Sequence, residues 1–118
     1  MVDEQETYRP WLLFEHDDDP GQFSLILSDN HMLSVADVFE QGGREPNGYG
    51  WADVALGIMR DRAPELEGRV GIDPEAGMCA LYGSDEAALR RMAALLHEVY
   101  HDRAQLAQCV ASAPWEYD

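Results

Sequence analysis

The stretch Val70-Gly71-Ile72-Asp73-Pro74-Glu75-Ala76-Gly77-Met78-Cys79-Ala80-Leu81-Tyr82 decides how the rest of the chain is read. Val70 and Ile72 alternate with Gly71 and Asp73, the period of a half-buried strand. Asp73-Pro74-Glu75-Ala76-Gly77 carries turn residues, and an apolar run over 78–82 follows it. Two short strands joined this closely form an antiparallel hairpin. Ser84-Asp85-Glu86 then opens the longest helical pattern, with Ser84 as its cap. Its apolar stripe of Leu89, Met92, Leu96, Val99, Leu106 and Val110 predicts one helix running to about residue 111.

Working outward to the N-terminal side, the same logic gives a second hairpin. Residues 8–15 concentrate apolar weight at Trp11, Leu12, Leu13 and Phe14. Asp17-Asp18-Asp19-Pro20-Gly21 turns the chain, and Phe23, Leu25 and Leu27 then alternate with Ser24 and Ser28. Two helices lie between the hairpins. Ser34 is the expected cap of the first, with Asp37 suiting its N-terminal dipole and Val35, Val38 and Phe39 at i, i+3, i+4. Gly42-Gly43 stops it, and a loop over 44–50 is built on Pro46 and Asn47-Gly48. The second carries Trp51, Val54, Ala55, Ile58 and Met59, a core stripe, and ends at Pro64. The order ββααββα predicts an α+β domain, an antiparallel sheet of about four strands with helices on one face.

Length and composition agree. At 118 residues and 13.2 kDa the chain is one domain, 1–118, with 1–7 and 114–118 expected as flexible ends. Its hydrophobic fraction of 46% is enough for a core. Asp and Glu number 23 against 8 cations, all arginine, for a net charge of −15 and a pI near 4.3. Phosphate backbones and anionic membrane surfaces both need a basic face, so neither nucleic acid nor membrane is an expected partner. The acidic start, Met1-Val2-Asp3-Glu4-Gln5-Glu6, lacks the basic and apolar parts of a secretory signal. The expectation is a cytoplasmic protein with Cys79 and Cys109 reduced and buried.

One catalytic signature is present. His97-Glu98-Val99-Tyr100-His101 matches H-E-x-x-H, in which two histidines on one helix face hold Zn²⁺ and the glutamate acts as general base. The phase argues against it, because at ~100° per residue both histidines point away from the apolar stripe, toward the face of Arg90, Ala94 and Gln105. The extended zincin pattern would also need Gly and His where Ala104 and Ala107 stand. The pair is read as solvated surface. The glycines over 42–50 match neither phosphate-binding signature, and no lysine exists to reach a phosphate. Glu15, Asp17, Asp18 and Asp19 lack the EF-hand spacing and read as a solvated acidic turn or as a docking surface for a basic partner. No catalytic residue, cofactor or metal is therefore expected.

Two blocks carry a resemblance. Phe39-x-x-Gly42-Gly43 with Asn47-Gly48-Tyr49-Gly50-Trp51-x-x-Val54-Ala55 is one, and Ile72-Asp73-Pro74-Glu75-Ala76-Gly77-Met78 is the other. In this order and separation, from about residue 23 to the last helix, the chain resembles the immunity protein 51 family of bacterial polymorphic toxin systems. The resemblance implies a small, non-catalytic α+β cytosolic protein that binds and neutralises a cognate toxin. It marks Asn47, Gly48, Tyr49, Trp51, Asp73, Glu75, Gly77 and Met78 as motif positions of structural character, and it supplies no set of toxin-binding residues. The family loop commonly reads G-N-G-Y-D-W; here Pro46 precedes Asn47, and Gly50 stands where an acid is common.

An acidic inhibitor suits a target with a basic active site, as nucleases have, because opposite potentials steer encounter. The expected contact is the acidic surface of Glu15, Asp17, Asp18 and Asp19. The runner-up is a small zinc-dependent hydrolase using His97, Glu98 and His101, and a third reading is an adaptor without a toxin. Monomer and homodimer both stay open at this point, since an edge strand can pair with a copy of itself.

Overall fold

Four antiparallel strands form one sheet in the order β1-β2-β4-β3 in the computed structural model, which describes residues 7–118. They are β1 (Leu12–Glu15), β2 (Phe23–Ser28), β3 (Gly71–Glu75) and β4 (Met78–Gly83). Both sequence-predicted hairpins are present, and β2 pairs with β4 to join them. The helices are α1 (Asp29–Leu33), α2 (Ala36–Gln41), α3 (Gly48–Arg62), α4 (Glu86–Tyr100) and α5 (Arg103–Ser112), with a 3₁₀ turn at Pro64–Leu66. The fold is the expected α+β domain.

The register gives each face of the sheet its character. Leu13, Leu25, Leu81 and Ile72 lie in one row across the four strands, and Leu27, Cys79 and Pro74 lie in another. Leu25, Leu27, Leu81 and Cys79 are fully buried, and α3 and α4 pack on this side. Trp51 sits at the centre of the core: it meets Trp11 edge-on at 5.6 Å, Phe39 at 5.0 Å and Tyr100 in a stack at 6.1 Å. Pairs of this kind add about 0.5–1.5 kcal/mol each beyond the area they bury. The whole predicted stripe of Trp51, Val54, Ala55, Ile58 and Met59 is buried. No helix among the described residues is long and apolar enough to cross a membrane.

Several details differ from the sequence reading. Asp85 and not Ser84 caps α4, its Oδ1 accepting from Ala88 N–H at 3.1 Å. β3 runs on through Pro74 to Glu75, so the turn expected over 73–77 is only Ala76-Gly77. Ser34 does not cap a helix. It closes the one-turn α1, and Val35 precedes α2 with no side-chain cap. The long C-terminal helix is two helices. Asp102 turns extended, its carboxylate accepts from Gln105 N–H at 3.1 Å, and α5 starts on a new axis against α2 and α3. Within the expected flexible end 114–118, the last three residues are hydrogen-bonded to α3. Asp53 accepts from the backbone N–H groups of Glu116, Tyr117 and Asp118 at 2.9–3.1 Å. Residues 1–6, within the other expected flexible end, lie outside the described residues.

Candidate functional site

The β1–β2 connection carries the acids singled out in the sequence, and it is an ordered turn. His16 N–H donates to Gln22 O at 2.9 Å and Gln22 N–H to Asp19 O at 3.1 Å. Glu15 is not free for a partner: its Oε2 accepts from Gly21 N–H at 2.8 Å and closes the loop. Asp17, Asp18 and Asp19 are all exposed beyond that closure. Asp18 and Asp19 reach the edge of an open hollow of about 570 Å³ on the outer face of the sheet, with Asp73 also in its lining.

The two motif blocks meet in space. Asn47 caps α3, its Oδ1 accepting from Tyr49 N–H at 3.0 Å and Gly50 N–H at 3.2 Å. Gly48 N–H donates to Ala76 O at 3.3 Å, which sets the start of α3 against the β3–β4 turn. A Cβ at Gly48 would lie 1.8 Å from Glu75 O and 2.3 Å from Met78 O, so only glycine permits the approach. Trp51 then enters the core, while Tyr49, Asp73, Glu75 and Gly77 stay exposed and Met78 is half-buried. A side chain at Gly50 would strike Glu45 O at 2.0 Å, so the acid common in the family would require the loop at Glu45 to move.

Sequence reasoning missed a buried ionic centre. Asp53 is 0% exposed and Arg44 is 4% exposed, and Arg44 Nη1 donates to Asp53 Oδ2 at 3.3 Å. Arg44 also donates to Pro114 O at 2.7 Å and to Ala113 O, and its guanidinium lies 3.7 Å from the Trp115 ring centroid. With the three tail amides, Asp53 has four donors, the condition under which a buried carboxylate is tolerated. The signal was an acid between Trp51-Ala52 and Val54-Ala55, inside the most apolar helix of the chain.

The H-E-x-x-H segment closes a backbone contact. His97 Nδ1 lies 2.9 Å and His101 Nε2 2.7 Å from Arg9 O. A carbonyl only accepts, so both ring nitrogens donate, and the rings stand 4.7 Å apart around that one oxygen. A zinc ion held at the point where they converge would have to displace the Arg9 carbonyl. Glu98 instead faces Arg62 at 3.5 Å, an exposed pair worth little. Among the described residues no three His, Cys, Asp or Glu side chains form a cluster able to hold a metal ion. Cys79 and Cys109 are both free thiols; Cys79 is buried and Cys109 half-buried, and burial pushes both up from the ordinary thiol range, away from the reactive thiolate.

The chain matches the family model described as Immunity protein 51 over residues 11–114. No curated protein and no solved structure gives a match.

Proposed function

Because the chain belongs to the immunity protein 51 family, whose members neutralise a cognate toxin, we propose that it is a non-catalytic inhibitor that occludes its toxin through an acidic surface. The family match carries the inhibitor part of this reading, and the net charge of −15 supports the acidic surface. The contact is the β1–β2 loop: Asp17, Asp18 and Asp19 meet the toxin, and Glu15 holds the loop that presents them. The toxin is a nuclease, whose phosphate-binding active site is basic. The net charge of −15 and the absence of lysine support that pairing, because such a field accelerates encounter with a cationic target.

The test is protection. Cells producing the toxin encoded beside this chain are supplied with the wild-type chain or with a variant carrying Asp17→Asn, Asp18→Asn and Asp19→Asn. Wild type protects; the triple variant should associate with the toxin roughly tenfold or more slowly and protect poorly. Equal protection by the variant would remove the loop as the contact.

A further inference from the structure

We propose that the open face of the sheet is the floor on which the toxin sits, and that it receives an arginine-bearing segment of the toxin surface. The proposal rests on the toxin-binding reading and adds to it the surface and the chemistry of the contact.

The register sets this face. Phe14, Ser24, Tyr82 and Gly71 form one row across the four strands, and Leu12, Ile26, Ala80 and Asp73 form the next. An antiparallel sheet with one face in water normally turns polar residues outward. Here most of the outward residues are apolar or aromatic, and α3 and α4 pack on the opposite side of the sheet. Such a patch marks an interaction surface.

The aromatic groups are held in position. A Cβ at Gly71 would fall 2.3 Å from Tyr82 Cζ, so the Tyr82 ring lies across β3 in the space that glycine leaves, with the residue 49% exposed. Phe14 packs at 5.3 Å against the His16 ring, and His16 Nε2 is tied to Ser24 Oγ at 2.7 Å. Two aromatic groups therefore flank the hollow of about 570 Å³ without needing to reorganise on binding.

Charge selects the occupant. Asp18 and Asp19 border the hollow from the loop, Asp73 borders it from β3, and no arginine is in its lining. A guanidinium stacks on aromatic rings and takes carboxylates bidentately, so it satisfies both features at once. A second copy of this chain is the poorer occupant, since it brings a charge of −15 and the same carboxylates to the contact.

Binding of the purified neighbouring-gene toxin domain is measured by titration for wild type, Phe14→Ala, Tyr82→Ala and Asp73→Arg. Arg91→Ala, on the helical layer, serves as the control. Melting curves accompany each variant. Each of the three face variants is expected to raise Kd by about tenfold or more, as truncation of a central contact does. Arg91→Ala should bind as wild type does. Asp73→Arg changes only an exposed edge position, so it keeps the test decisive if an aromatic variant melts early. Wild-type binding that all three variants retain within about twofold would overturn the proposal while leaving the inhibitor reading intact. A wild-type chain that does not bind the toxin would overturn both. A self-association lost in Tyr82→Ala, with toxin binding unchanged, would assign the face to a second copy and overturn it as well.

Discussion

Asp53 is a charge where an apolar side chain is expected, and its surroundings explain why it is there. Its two oxygens gather Arg44 and the last three backbone amides, so the C-terminal end is fastened beneath the loop that precedes α3. Replacing it with alanine removes the acceptor for all four donors and leaves the Arg44 guanidinium buried without its counter-charge. Loss of one partner from a buried pair costs about 3–5 kcal/mol, and Asp53→Ala should lower the unfolding free energy by that order in urea titration. A change below about 1 kcal/mol would show that the tail and Arg44 find other partners. A double variant with Asp53→Leu and Arg44→Met should be milder than the sum of the two single changes, because no orphan charge remains. At this scale the sequence was only partly legible. The core residues of α3 announced themselves by period, but Asp53's partners are Arg44, across the loop before the helix, and the tail amides 63–65 positions away, and no local pattern names them.

At the scale of elements, period and turn chemistry were enough for the two hairpins and for α3. Alternation over 23–28 and 70–73 and the Pro-Gly and Pro-containing turns are local signals that place both hairpins, but β3 continues through Pro74 to Glu75, which pairs with Met78, so the turn read over 73–77 is only Ala76-Gly77. Period misled at the C-terminal end. Leu106 and Val110 keep the phase of the α4 stripe, so the pattern resumes beyond the break at Asp102 after the single missed position at Arg103. The signal that stops the helix is the N-cap chemistry of Asp102 with Gln105 three residues on, which competes with helix continuation by offering the amide another acceptor. Spacing also could not show that the two motif blocks touch. Their contact is a backbone approach at Gly48, and it makes a prediction. Gly48→Ala must push α3 away from the Glu75 and Met78 carbonyls, since neither is the movable end of a side chain. A loss of about 1–3 kcal/mol is expected in thermal unfolding, the usual cost of forcing atoms into a filled site. An unchanged melting temperature would contradict the close packing of the blocks.

The whole molecule divides into two sides. The inner face of the sheet and the helices spend the apolar residues on a core around Trp51, while the outer face and the β1–β2 loop present rings and carboxylates to solvent. The candidate site was legible in part: the acidic run stood out in the sequence, but its neighbours across the sheet, Tyr82 and Asp73, are brought to it only by the β2–β4 pairing. The H-E-x-x-H segment stood out equally and closes a backbone contact at Arg9. On the proposed reading, a surface this anionic attracts a cationic toxin over a distance, and salt at 0.15 M already screens such attraction beyond about 8 Å. The central claim is that the chain works by stoichiometric obstruction, steered by charge. The most direct measurement is titration of the purified toxin's activity with the purified chain at low and at high ionic strength. The account predicts that activity falls to zero near one chain per toxin at low salt, with an association rate that drops steeply as salt rises. Toxin activity that persists at saturating chain, or inhibition whose rate is the same at both salt concentrations, would contradict it.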